Sequence, residues 1–419
     1  MEKGTKEEES RKIIEETESR VYISNTPGDF AGVTSVNGKA VIEIAEAWVK
    51  ENENFSFPDR ADLADIMYTT GTTGKAKGVM VSHGALLATA ENYETGFAMG
   101  KDTVLAVPGP LNHVNALRKL YLTVKCGSTI VILNGLLSMK AFFHALDTKE
   151  VNALCLPPAS LRMIWHFSGE KLAEYADQIK FVECSTAPLS EEDKETLCRQ
   201  LPGSRLYNNY GLSECGAMVM YDFHAYPGKP SGCVGRPVGN AHVILVDEDR
   251  KEIEATKAHP GLIANAGPIN MLGYWHDPTL TKEVMADGYV YTNDLGYFDA
   301  DGFLYLVGRK DDTINIGGRK VEPSEVEEVA LKTGILEECI CVPVPDPITE
   351  NALELYVVLK AGEEFDEEKI LGFLNQHLNA YQVPKKVAPI DAVPKNYVGK
   401  PDRKAFIEGR STGKEKNNG

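Results

Sequence analysis

Short apolar runs alternate with helical periods through the first half of the chain, and this alternation limits the fold more than any other feature. The runs "TVLAVPG", "STIVIL", "NALCLPP" and "IKFVECS" are rich in β-formers and bounded by turn residues. Between them stand segments of helical period, such as "HGALLATAENYETGFAM" and "SMKAFFHALDTKE". Strands separated by helices predict βα units and a mostly parallel sheet covered on both faces. Ahead of them the sequence predicts a helix from Glu7 to Glu18, a strand in "RVYIS", a Gly-rich loop and a helix ending in "WVKENENF".

From about Val234 the pattern changes to short strands and turns, in "HVILVDEDRKE" and "DGYVYTNDLGYFDADGFLYLVGR", which predicts hairpins or a small barrel. The carboxylates of "DEDRKE" and "DADG" lack the spacing of a calcium loop and read as solvated turns. A third pattern begins near Asp311. "SEVEEVALKTG" predicts a helix with Ser324 at N-cap and Glu327 closing a capping box. "LEECICVPVPD" and "LELYVVLKAG" predict strands, and "DEEKILGFLNQHL" a further helix. The whole is an α/β chain: a large mixed domain with parallel-rich sheets and a β-rich subdomain, then a small C-terminal α+β domain joined by a hinge.

At 419 residues the chain has room for both. Its net charge of −17 argues against a nucleic-acid partner, and an anionic substrate would need local basic groups to hold it. No apolar run reaches the ~20 residues that span a bilayer. The start "MEKGTKEEESRK" is charged and lacks the apolar core of a secretory signal. Eight cysteines are scattered without metal spacing, which predicts reduced thiols and a cytoplasmic setting. Cys339 and Cys341 alternate and are expected on one face of a strand.

Candidate chemistry begins at "YTTGTTGKAKGV", Tyr68 to Val79. It is not the nucleotide P-loop: Ala76 follows Gly74-Lys75 where Ser or Thr is required, and Thr69 stands where the first glycine belongs. The chemistry nevertheless suits phosphate. Glycines let backbone N–H groups turn toward an anion, threonines supply hydroxyls, and Lys75 and Lys77 supply charge. A plain Gly/Thr turn between two strands is the alternative. Four further stretches concentrate reactive side chains. "NNYGLSECG" groups Tyr210, Gly211, Ser213 and Glu214; "YTNDLG" offers Asp294; "GRKDDTINIGGRKVEP" holds Arg309 and Gly317-Gly318; "VPKNYVGKPDRKAF" presents Lys400. Read alone, each is also a strand turn, a hairpin corner, a linker or a charged tail.

In this order the five motifs resemble the adenylate-forming superfamily of acyl-CoA synthetases, luciferases and peptide-synthetase adenylation domains. "STAPL" (Ser185 to Leu189) resembles its adenine-side loop, and "PLNH" (Pro110 to His113) its acyl-pocket segment. The resemblance spans residues 10–408. It implies that Thr70, Gly71, Thr72, Thr73, Gly74 and Lys77 hold phosphates, with Ser213 at the α-phosphate. It implies that Glu214 binds Mg²⁺ and that Tyr210 lies against adenine beside Asn209, Gly211, Ser185, Ala187 and Pro188. Asp294 and Arg309 would clasp the ribose, and Lys400 would bridge the carboxylate and the α-phosphate. His113, with Asn208, Asn209 and Met218 to Tyr221, would shape the acid pocket. ATP, Mg²⁺ and CoA are the implied cofactors and co-substrate, and a small carboxylic acid, fatty or aryl, the implied substrate.

The same resemblance places a large ATP- and acid-binding domain at 1–310, a small domain carrying Lys400 at 311–410, and a disordered tail at 411–419. The small domain would swing about Asp311, removing Lys400 and bringing the Gly317-Gly318 strand to the thiol channel. Members of the superfamily usually carry roughly 100 further residues, the size of a small domain, ahead of the phosphate loop. On that comparison the chain is short at its front, and the apolar surface so exposed would favour a homo-oligomer. Ala76 replaces the usual proline, and Asn293 the usual glycine before Asp294. The leading expectation is an acid–CoA ligase. The alternatives are a domain that loads a carrier-protein thiol and a nucleotide-binding fragment without turnover.

Overall fold

The computed structural model describes residues 7–25, 28–41, 43, 56–70, 76–109, 111, 113–133, 135–136, 138–186, 189–310, 312, 314–316, 319–347, 349–395 and 401–411. The expected βα units form one half of a long sheet. The strands Thr129–Ile132, Val104–Val107, Ala153–Cys155, Phe181–Cys184 and Arg205–Leu212 lie side by side in that order, all parallel. The helices Val114–Cys126, Met139–Thr148, Pro158–Ser168 and Glu191–Gln200 connect them in sequence. Three of these strands are buried along their whole length or nearly so, which is why they read as unbroken apolar runs.

Alternation assigns each strand residue to one of two cores. Ala106, Leu154, Val182, Cys184 and Leu206 face the helices Met139–Thr148, Pro158–Ser168 and Glu191–Gln200. Leu105, Val107, Ala153, Cys155, Phe181 and Tyr207 face the helices His83–Phe97 and Val114–Cys126. By the same parity Glu183 and Asn209 belong to the second layer, and both are buried there.

The β-rich region is not a separate barrel. Its hairpins continue the same sheet, which has 12 strands among the described residues. Beyond Arg205–Leu212 every pairing is antiparallel: Gly216–Asp222, Cys233–Pro237, Leu304–Arg309, Tyr289–Phe298, Gly261–Ala266 and His242–Val246 follow in that order. β-Bulges interrupt the register of three of these pairings. The acidic turns are closed by protein groups. Asp247 accepts from the backbone of Asp249 and Lys251, and Asp299 and Asp301 share Lys229.

The "YTTGTTGKAKGV" stretch lies on an antiparallel hairpin, Leu63–Thr70 with Ala76–Ser82, whose second strand also pairs with Gly273–Tyr274. The loop 71–75 at its tip is outside the described residues, as is most of the segment expected to form the "WVKENENF" helix. The first helix runs Glu7–Glu16, and the strand after it is Val21–Ser24.

In the small domain Leu336–Asp346 and Glu350–Leu359 pair antiparallel, Lys386–Pro389 adds in parallel, and the helices Pro323–Leu331 and Glu367–His377 complete the core. Cys339 and Cys341 lie in this core as expected, and all eight cysteines are free. The expected capping box is absent. Pro323 occupies the first helical position, so Glu322 is the N-cap and Ser324 lies inside the helix, donating to the Val307 carbonyl. Glu327 is engaged elsewhere, by Arg403 and by the backbone N–H of Cys341. No helix among the described residues is long and apolar enough to cross a membrane.

Candidate active site

Open α/β sheets place their ligands outside the carboxyl ends of their parallel strands, and this sheet changes from parallel to antiparallel pairing at one of those strands. Arg205–Leu212 is the strand at which the change occurs. It carries Asn209, Tyr210 and Gly211; Ser185 follows the neighbouring strand, and His113 follows Val104–Val107 by one loop. Thus motifs far apart in the chain converge on one edge because βα order puts every strand end there.

Tyr210, Asp294 and Arg309 form a continuous chain of contacts. The Tyr210 hydroxyl donates to Asp294 Oδ2 at 2.7 Å, and Arg309 Nε lies 3.2 Å from Asp294 Oδ1. Asp294 and Arg309 face each other in register across adjacent strands. Burial pushes the Tyr210 phenol well above its ordinary range, and the Asp294 carboxylate adds to the effect, so it stays a donor. A carboxylate offers about four lone-pair sites, so Asp294 retains acceptors for a ligand.

Glu214 sits at the turn that follows. Its Oε1 accepts from the Tyr274 hydroxyl at 2.8 Å, and the ring of Tyr274 lies 5.7 Å from Lys77 Nζ. Burial raises the Tyr274 phenol first, and Glu214 second. The phosphate hairpin and the carboxylate loop are therefore joined through one tyrosine. Gly211 is required here by a close approach: a Cβ would come within 2.0 Å of the Gly216 carbonyl oxygen. Mg²⁺ commonly takes one or two carboxylates and completes its shell with water and substrate phosphates. A single half-buried Glu214, oriented by Tyr274, fits that demand.

Two residues that sequence reasoning passed over brace this edge. Arg118 is buried, and its fork donates to the carbonyls of Leu212 at 2.9 Å and Ser213 at 2.7 Å. Burial draws its pKa down, while Tyr93, Cys215, Glu214 and Asp65 act in the opposite sense. Lys119, next to it, is wholly buried with Glu183 at 3.4 Å. Its ammonium also donates to Asn115 Oδ1 at 3.1 Å and lies 3.6 Å from the centre of the Tyr93 ring. Burial pushes the Lys119 ammonium down, but Glu183, Tyr93 and Cys155 together outweigh it, so the net shift is upward and the ammonium stays charged. Asn209 donates to the same Glu183 oxygen.

Helical period was the available signal. Asn115, Lys119, Leu122 and Cys126 share one stripe of the helix, so Lys119 stands on the apolar face that packs on the sheet.

Ser185 is buried, and its hydroxyl has no partner among the described residues. Thr186 beside it holds φ at 76°, a left-handed conformation that a β-branched residue adopts only under constraint. His113 is the N-cap of the helix Val114–Cys126, where Nδ1 accepts from the Asn115 N–H at 3.3 Å. Met218 to Tyr221 are core: Met218 and Val219 pack in one cluster, Met220 in a second and Tyr221 in a third. Thr70 ends the first strand of the hairpin. Gly71, Thr72, Thr73, Gly74, Ala187, Pro188, Asp311, Gly317, Gly318 and Lys400 lie outside the described residues.

A family model described as AMP-binding enzyme matches residues 1–275, and one described as AMP-binding enzyme C-terminal domain matches residues 325–400. A long-chain-fatty-acid–CoA ligase of Bacillus subtilis is 32% identical over 356 residues, covering 83% of this chain and 62% of that protein. The chain thus spans about three fifths of the length of the curated relatives it matches, 62% and 60% for the ligases of Bacillus subtilis and Salmonella typhimurium. Among solved structures, ATP-bound MatB from Rhodopseudomonas palustris superposes with a TM-score of 0.85 at 23% identity, covering 97% of this chain and 82% of that one. O-succinylbenzoate Coenzyme A Synthetase (MenE) from Bacillus subtilis, in complex with ATP and magnesium ion, gives 0.79 at 23% identity over 94% and 81%. At that identity the likeness is one of fold.

Proposed function

We propose that this chain, which belongs to the AMP-binding enzyme family, activates a carboxylic acid with ATP and passes the acyl group to the thiol of CoA. In the first step a carboxylate oxygen attacks the α-phosphorus. The bond to the bridging oxygen breaks, and pyrophosphate leaves with the electron pair. In the second step the thiol sulfur attacks the acyl carbonyl, loses its proton to solvent, and AMP departs.

The observation that carries this reading is the run Tyr210–Asp294–Arg309 beside Glu214 at the switch strand. An aromatic ring suited to a base stands beside a carboxylate with spare acceptors for a ribose, and a cation steadies that carboxylate. In this reading Asp294 takes the ribose hydroxyls, Arg309 holds Asp294, and Lys77 with the Thr70–Gly74 loop holds the phosphates. Glu214 is the protein ligand of Mg²⁺, which neutralises phosphate charge when bound. Lys400 is a compact point charge suited to the carboxylate and α-phosphate as charge develops between them. CoA as acceptor is supported by the relative named a long-chain-fatty-acid–CoA ligase. We place the domain boundary at 310/311, with Asp311 as the hinge and Lys400 on the moving side.

The test is acid-dependent exchange of labelled pyrophosphate into ATP, together with release of AMP once CoA is added. Lys400→Ala should abolish exchange and leave thioester formation from supplied acyl-AMP largely intact. Equal loss of both half-reactions would sink the two-conformation reading. Release of ADP and phosphate would overturn adenylation itself.

A further inference from the structure

The helix Val114–Cys126 reaches two parts of the site at once. Arg118 and Tyr121 stand three residues apart on it, so their side chains leave the helix as neighbours. Arg118 holds the carbonyls of Leu212 and Ser213, immediately before Glu214. The Tyr121 hydroxyl donates to the Asp65 carboxylate, 2.9 Å from Oδ2 and 3.2 Å from Oδ1. Burial first, and then Asp65, push the Tyr121 phenol up, so it remains a donor.

Asp65 lies on the first strand of the phosphate hairpin. From Asp65 onward the register is unbroken: Asp65 faces Val81, Met67 faces Val79 and Thr69 faces Lys77. Alternation then puts Asp65, Met67, Lys77, Val79 and Val81 on one face. Val79 and Val81 are buried in the core that also holds Cys215 and Tyr274, and Lys77 lies against the Tyr274 ring. The face that Tyr121 grips is therefore the one turned toward the Glu214 turn. Lys77 stands two pairs beyond Asp65, roughly 13 Å along at the ~3.3 Å rise of a strand. Tyr274 joins this face to Glu214 at one point, and a single contact leaves the hairpin free to rock about it. Tyr121 adds a second point. Because the same helix clamps the turn before Glu214, one rigid element spans both sides of the gap between Lys77 and Glu214.

Building on the roles proposed above for Lys77 and Glu214, we propose that Tyr121, acting through Asp65, is a positioning residue for the triphosphate of Mg²⁺-bound ATP. It holds the Lys77 face of the hairpin at a set distance from Glu214 and does not itself touch the nucleotide. In that reading AMP is held through Tyr210, Asp294 and Arg309. Only a nucleotide with β- and γ-phosphates calls on Lys77 and a Glu214-bound Mg²⁺ together, so the Tyr121–Asp65 bond should distinguish ATP from AMP.

Titration calorimetry on the full chain, with AMP and with α,β-methylene-ATP plus Mg²⁺, tests this. Tyr121→Phe keeps the ring and removes the bond. It should weaken binding of the ATP analogue about 10-fold, the scale of one hydrogen bond to a charged group, and leave the Kd for AMP unchanged. Asp65→Val should do the same, while Asp65→Asn keeps an acceptor for the hydroxyl and should retain most of the affinity. Tyr121→Phe and Asp65→Val combined should cost no more than either alone, as two ends of one contact do. AMP and the analogue weakened alike, or neither weakened, overturns the inference and leaves the ligase reading standing. Failure of the wild type to bind either nucleotide overturns the reading on which both rest.

Discussion

Arg118 shows how one buried side chain can govern a loop without touching a ligand. Its guanidinium is planar, and two of its N–H groups reach the consecutive carbonyls of Leu212 and Ser213, so the turn before Glu214 is held at two points. Lysine at this position would carry the charge but could not match two acceptors with one rigid fork. Arg118→Lys should therefore cost about 2–4 kcal/mol, the scale of losing charged hydrogen bonds to buried carbonyls, and weaken AMP binding through Tyr210. Denaturant titration measures the first and calorimetry the second. Unchanged AMP affinity in a destabilised Arg118→Lys would show that Arg118 only supports the fold. The sequence hid this residue for a physical reason. In "NALRKLYL" two adjacent cations read as the solvated side of a helix; the period puts Lys119 on the apolar stripe, but only tertiary packing reveals that Arg118 points inward as well. By contrast Tyr210, Glu214, Asp294 and Arg309 stand out in the sequence because their motifs are compact, and the fold brings the strand ends that carry them together.

At the scale of elements, periodicity foretold four of the five parallel strands and the helices His83–Phe97 and Met139–Thr148 to within about three residues, since both faces of that half-sheet are apolar. What it misjudged was capping. Pro323 fixes the helix start two positions earlier than an N-cap at Ser324 would, and Arg403 draws Glu327 away from the helix terminus. Caps depend on which of several polar groups wins a local competition, and tertiary partners decide it. A comparison inside the molecule gives a prediction. The helices His83–Phe97 and Val114–Cys126 end in the same motif, with Met99 N–H bonding Glu94 O and Ser128 N–H bonding Thr123 O, each at 3.0 Å. The left-handed residue is Gly127 in one helix and Ala98, at φ 46°, in the other. Ala98 is exposed, so no packing compensates for its strained backbone. Ala98→Gly should stabilise the protein by about 1 kcal/mol, the left-handed penalty of an L-residue, raising Tm by ~2 °C. A lower Tm in the variant would mean that unfolded-state entropy outweighs the strain.

At the scale of the whole molecule, apolar clusters separate into two sets. One set lies on either side of the long sheet, and the other is built from Ile314, Val321, Val326, Ile340, Leu355, Ile370 and their neighbours. The small domain meets the large one through the helix Pro323–Leu331, where Ser324 donates to the Val307 carbonyl and Glu322 crowds Gly308. An interface between separate cores leaves each free to melt by itself, so unfolding should not be two-state. Scanning calorimetry should resolve two transitions. The small domain, at ~100 residues, should contribute about 70 kcal/mol of enthalpy at ~0.7 kcal/mol per residue, and the large domain several times more. AMP assigns the peaks. Tyr210, Asp294 and Arg309 all precede the proposed boundary, so AMP at ~100-fold its Kd should add about 2.7 kcal/mol to the large domain and leave the smaller peak in place. A single peak that moves as a whole with AMP would make the molecule one cooperative unit. A domain swing about Asp311 would then need some other release of the contacts around Ser324 and Glu322.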